Sequence, residues 1–112
     1  MRNVSETPEN WVIMKITNND ETNYKVFGSW AGGYLGSDNW KLNSGIKLVE
    51  EDEDNFYFYG YSGSCYKCRK NIYGVATSYN NNVLDALIKS GYNNGASIEI
   101  MDKDTNWLEL LK

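Results

Sequence analysis

A chain of 112 residues with 41% hydrophobic and 14% aromatic content has the composition of one folded domain, able to bury about 65% of its unfolded surface, and not of a disordered segment. Fifteen Asp and Glu against eleven Lys and Arg leave a formal charge of −4, which argues against wrapping long nucleic acid but leaves room for a short nucleotide in one positive pocket. Histidine is absent, so Ser–His–Asp and Cys–His nucleophiles are excluded; carboxylate acid–base chemistry is what remains, and no enzymatic role is expected.

Residues 1–10 are polar, hold the single proline, Pro8, and read as a flexible leader to one small binding domain over residues 11–112. Neither a signal peptide nor a membrane span is visible, so a cytoplasmic protein is expected. In residues 10–17, Val12, Met14 and Ile16 alternate with Trp11, Ile13 and Lys15, a period of two that predicts a strand. Asn18-Asn19-Asp20 supplies turn chemistry, and residues 24–30 repeat the alternation. The segment Trp30-Ala31-Gly32-Gly33-Tyr34-Leu35-Gly36 is no phosphate-binding fingerprint, because neither a Walker lysine nor a helix follows. Its glycines permit a bend or a close approach of backbone to ligand.

Ser37-Asp38-Asn39-Trp40-Lys41-Leu42-Asn43-Ser44-Gly45-Ile46 mixes aromatic, hydroxyl, Gly and cationic residues, and Tyr61-Ser62-Gly63-Ser64-Cys65-Tyr66-Lys67-Cys68 does so again. That vocabulary suits a flat, anionic, hydrogen-bonding ligand: a ring to stack on, donors for its edges and a positive charge for phosphate. Around these motifs, residues 46–50, 55–61 and 64–70 read as strands. The acidic run Glu50-Glu51-Asp52-Glu53-Asp54 lacks the alternating ligands and central glycine of a calcium loop, and reads as a solvated hairpin connection. Cys65 and Cys68 form a lone C-x-x-C without the further Cys or His that structural zinc needs. In a strand they point to opposite faces, so two packed, reduced thiols are expected, with no metal and no cofactor.

One helix is expected near residues 83–90: Asn82 as cap, Val83, Leu84, Leu87 and Ile88 as its apolar stripe, and Gly91 to close it. Residues 96–101 complete the strands. Trp107-Leu108-Glu109-Leu110-Leu111 reads as a second short helix or an edge strand, and its apolar surface belongs either to the core or to a subunit interface. The expected class is α+β, an antiparallel β-meander of five to six strands with one short helix.

Trp11-Val12-Ile13-Met14-Lys15-Ile16, Tyr24-Lys25-Val26, Gly32-Gly33-Tyr34 and the two motifs above resemble a widespread family of small tailed-phage proteins. The likeness spans roughly residues 11–79. The block Trp40-Lys41-Leu42-Asn43-Ser44-Gly45-Ile46 is its most specific part, with lysine at position 41 where arginine stands in many relatives. The chain thereby resembles the phage anti-CBASS sponge family, which sequesters cyclic dinucleotide immune signals of the 3'3'-cGAMP type without cleaving them. The resemblance implies an oligomer, dimer or tetramer, acting in the cytoplasm of an infected bacterial host. The chemistry of the residues in these motifs accommodates such a ligand. Tyr34, Trp40 and Tyr66 would stack on bases, while Lys41, or else Lys67 or Arg69, would meet phosphate. Asn43, Ser44, Ser62 and Ser64 would add neutral hydrogen bonds. Two other readings compete: an inhibitor that blocks a host enzyme or defence protein through its acidic surface, and a phage accessory or structural protein.

Overall fold

The computed structural model describes residues 3–32 and 36–111. Its strands in chain order are β1 (Asn10–Asn18), β2 (Glu21–Trp30), β3 (Asn39–Leu42), β4 (Ile46–Glu51), β5 (Asn55–Gly60), β6 (Cys65–Arg69) and β7 (Ala96–Ile100). The helices are α1 (Ser78–Asn93) and α2 (Trp107–Leu110), with a short 3-10 turn at Lys70–Ile72. The strands form a four-stranded sheet in the order β3-β2-β1-β7 and a three-stranded sheet in the order β4-β5-β6, and every strand pairing is antiparallel.

β1 is covered on both sides. Trp11 and Ile13 join Val26, Ile46, Val49, Phe58, Tyr66, Cys68 and Trp107 in a core between the two sheets. Val12 and Met14, one position out of step, join Phe27 and Leu84 beneath α1. A strand whose two alternating faces are both apolar fits the middle of a three-layer stack, and the layers run α1, four-stranded sheet, three-stranded sheet. The inter-sheet core is aromatic: Trp11 meets Tyr73 edge-on at 4.7 Å and 88°, with Phe58 at 5.5 Å and Trp107 at 6.2 Å. The Tyr73 hydroxyl accepts from Ile13 N at 3.1 Å and donates to Met101 O at 2.5 Å, and burial pushes this phenol up to about 12.

The chain adopts the expected α+β class, with its strands divided between two sheets. The division follows β3. Asn43-Ser44-Gly45 turns the chain out of the first sheet, with Gly45 at φ 118°, and β4 begins the second. β3 itself was hidden in the sequence inside a motif read for ligand chemistry. The helix is also longer than expected. The Thr77 side chain accepts from Asn80 N at 3.1 Å, starting α1 one turn and more ahead of Asn82, and the helix continues past Gly91 to Asn93 before Gly95 at φ 83°.

Two terminal segments are drawn onto the body. In the stretch read as a leader, Ser5 N donates to Cys65 O at 2.8 Å and Lys67 N donates to Glu6 O at 2.9 Å, while Pro8 is fully buried against β2. In the tail, Asn106 Oδ1 caps α2 by accepting from Glu109 N at 3.1 Å. Trp107 is buried, and Leu108 and Leu111 pack on the inter-sheet core, which leaves Leu110 as the exposed leucine of the run. The tail thus spends most of its apolar surface inside the chain and supplies little for an interface. Among the described residues, no helix is long and apolar enough to cross a membrane.

Candidate ligand-binding site

The two polar motifs meet at one end of the three-stranded sheet. Ser62 N donates to Ser44 Oγ at 2.9 Å, and Tyr61 N donates to Gly45 O at 3.1 Å. Gly63, at φ 93°, lets the chain reverse between β5 and β6, and Gly60 N closes the turn on Ser64 O at 2.9 Å. A Cβ at position 60 would lie 2.8 Å from Ser44 Oγ and 2.9 Å from Ser64 Oγ, so the two hydroxyls fit here only over a glycine. Asn43 stands behind them, buried, with Oδ1 accepting from Val26 N at 2.8 Å and Gly45 N at 3.4 Å. Asn43, Ser44, Ser62 and Ser64 therefore form one cluster. Asn43 Nδ2 and Ser64 Oγ are buried without a hydrogen-bond partner among the described residues, which leaves unused hydrogen-bonding capacity in the cluster.

Two of the three expected stacking rings, Trp40 and Tyr66, do not join it. Trp40 lies on the helix-facing side of the four-stranded sheet, where it stacks on Phe27 with centroids 5.7 Å apart and planes 14° from parallel. Tyr66 is buried in the inter-sheet core, on the other side of that sheet. Its phenol is pushed up, first by burial and then by the nearby Glu6 carboxylate. Both rings pack in the core because strand alternation directs each into an apolar layer. Lys41 is paired with Glu6 at 2.7 Å, a half-exposed contact that occupies the cation expected to meet phosphate. Tyr34 lies outside the described residues.

The other basic residues stand elsewhere. Lys67 and Arg69 alternate on β6, facing away from the inter-sheet core that Tyr66 and Cys68 enter. They line a cleft of about 410 Å³ together with Glu53, Asp54, Asn55, Lys70 and Asn71. Lys70 pairs with Glu51 at 2.6 Å and lies 5.0 Å over the Phe56 ring. The turn that carries Glu53 and Asp54 is built on Asp52, whose Oδ1 accepts from Asp54 N at 3.0 Å and Asn55 N at 2.8 Å. Tyr57 OH donates to Asp52 Oδ2 at 2.7 Å, and this bond, aided by the backbone amides against a smaller desolvation cost, holds the carboxyl down at about 2. Of the acidic run, Glu50 and Glu51 belong to β4 and only Asp52, Glu53 and Asp54 form the hairpin connection, which Asp52 organises.

Two further hollows flank the start of α1. One of about 640 Å³ is lined by Val75, Ala76, Thr77, Ser78, Asn81 and Asn82. The second, of about 420 Å³, is lined by Gly36, Ser37, Asp38 and Tyr79. Asp38 Oδ1 accepts from Gly32 N at 3.0 Å, and that bond, with a second from Thr77, lowers its pKa.

Cys65 and Cys68 are buried and form no disulfide, and burial pushes the Cys68 thiol well up, which suits packing and not redox exchange. Among the described residues, no group of three or more His, Cys, Asp or Glu is placed to hold a metal ion. Comparison with family models, with curated proteins and with solved structures finds no match to this chain.

Proposed function

We propose that this protein is a viral immune-evasion protein that captures a cyclic dinucleotide of bacterial CBASS signalling and holds it without cleaving it. The observation that carries the reading is the meeting of the two hydroxyl–glycine motifs, joined by the bond from Ser62 N to Ser44 Oγ, with unpaired polar atoms behind them. Such groups bind by neutral hydrogen bonds and offer no nucleophile activated by a base. The resemblance of residues 11–79 to the phage sponge family supplies the ligand class. With Trp40 and Tyr66 committed to packing, hydrogen bonding takes a larger share of recognition and base stacking a smaller one. A near-symmetric ligand suits a two-fold assembly in which each subunit gives one half-site, so a dimer or tetramer in the cytoplasm of the infected host belongs to the same proposal.

Calorimetric titration of the purified protein against a panel of cyclic dinucleotides tests it. Saturable binding to one member, weakened by Ser62→Ala with no change in thermal stability, is the expected result. If no member of the panel binds, the proposal fails.

A further inference from the structure

The cleft between the β4–β5 turn and β6 combines groups that no single simple ion satisfies. Lys67 and Arg69 lie two residues apart on one face of β6, about 7 Å along the strand, and among the described residues the ion pairs are those of Lys41 with Glu6 and Lys70 with Glu51, not theirs. Lys70, the third cation of the lining, is already held by Glu51. Two free cations on an acidic protein attract a phosphate. The same hollow is also lined by Glu53 and Asp54, which repel one, and by Asn55 and Asn71; Asn55 is the register partner of Arg69, and Lys70 N donates to Asp54 O at 2.9 Å, so the carboxylates follow the cations along one rim. A ligand that satisfies both halves carries phosphate at one end and a pair of N–H donors at the other.

Guanine fits that second end: its N1–H and exocyclic amino group form a two-donor edge that one carboxylate accepts, whereas adenine offers an acceptor at N1. The volume of about 410 Å³ lies at the scale of one nucleotide-sized ligand. The Asp52 hydrogen bonds fix the turn that presents Glu53 and Asp54, so the acidic half of the cleft is set before any ligand arrives. We infer that this cleft receives one guanine nucleotide unit, its phosphate against Lys67 and Arg69 and its base edge against Glu53 or Asp54. As a statement about cyclic dinucleotides this rests on the proposed function; as a statement about the cleft it is tested by mononucleotides alone.

The test is a 15N NMR titration of the full chain with guanosine monophosphate, adenosine monophosphate and inorganic phosphate in turn. Guanosine monophosphate is expected to shift the Asn55 and Asn71 side-chain amides and to bind about tenfold more tightly than adenosine monophosphate. Arg69→Ala should weaken it about tenfold, and Glu53→Gln combined with Asp54→Asn should abolish the preference for guanine while keeping phosphate-driven binding. The Arg69 side chain is exposed, and its backbone carbonyl, which accepts from Trp11 Nε1 at 2.7 Å, survives that substitution. Equal affinity for the two mononucleotides, or for inorganic phosphate and guanosine monophosphate, overturns the inference, as does an Arg69→Ala variant that binds unchanged. Dinucleotide capture indifferent to Arg69→Ala would overturn this placement and leave the proposed function standing. Conversely, if guanosine monophosphate fills the cleft while no dinucleotide binds, the inference stands and the proposed function fails.

Discussion

Asn43 Oδ1 serves the amides of Val26 and Gly45 from a buried position, so the residue joins β2 to the bend that opens the second sheet. Asn43→Ala removes the acceptor and leaves Val26 N buried and unpaired, which should cost about 1–3 kcal/mol in urea denaturation. An unchanged denaturation midpoint would mean that the bond is replaced by water. Asp52 gives a pH signature. Its carboxyl in the folded chain titrates at about 2, below the ordinary 3.8, so its stabilising bonds are fully present above about pH 4 and are lost as pH falls through about 2. The difference in melting temperature between the native chain and Asp52→Asn should therefore be widest near neutral pH and shrink steadily below pH 4. A difference that stays constant down to pH 2 would show that the Tyr57 bond does not hold the ionised form. The meeting of Asn43 and Ser44 with Ser62 and Ser64 was legible in the sequence as shared chemistry at two motifs. The burial of Tyr66 and the pairing of Lys41 with Glu6 were not, because both depend on where the polar leader docks and how strand faces are layered.

At the level of elements, the alternation along β1 and β5 announced strands, since side-chain direction on a strand has a period of two and the residues there are β-branched or aromatic. α1 was less legible at its start. Tyr79, Asn80, Asn81 and Asn82 are poor helix formers, and what overrides them is tertiary: the Thr77 cap and a buried Asn80 whose Nδ2 donates to Trp30 O at 3.3 Å. The docked leader illustrates the same limit, because a short polar segment takes its conformation from the edge it meets. Gly28 is the contact that admits it. A Cβ there would lie 2.9 Å from Pro8 Cγ and 3.1 Å from Pro8 Cβ, and the proline ring has little freedom to yield. Gly28→Ala should lift residues 5–8 from β6 at a cost of about 1–3 kcal/mol, with faster hydrogen exchange at the Ser5 and Lys67 amides. Unaltered exchange at both amides would show that the leader docks independently of Pro8.

Over the whole molecule, stability rests on the aromatic core between the sheets, and Trp107 reaches that core from the end of the described chain. Trp107→Ala should cost about 3–5 kcal/mol, and thermal unfolding monitored by circular dichroism would read it; a loss below about 1 kcal/mol would mean that the tail is only draped on the body. The same three layers set the functional account. Trp40 and Tyr66, which a sequence reading assigns to ligand stacking, are committed to packing, and among the described residues there remain a hydroxyl–glycine junction and a cleft lined by both cations and carboxylates. On the proposed function, such a surface would hold a ligand by charge and hydrogen bonds without attacking it. The most direct measurement incubates equimolar protein and cyclic dinucleotide, separates bound from free ligand by ultrafiltration, and chromatographs what heating releases from the protein. Ligand retained with the protein and recovered intact is the expected result; ligand that passes freely into the filtrate, or that returns linearised, would contradict capture without cleavage.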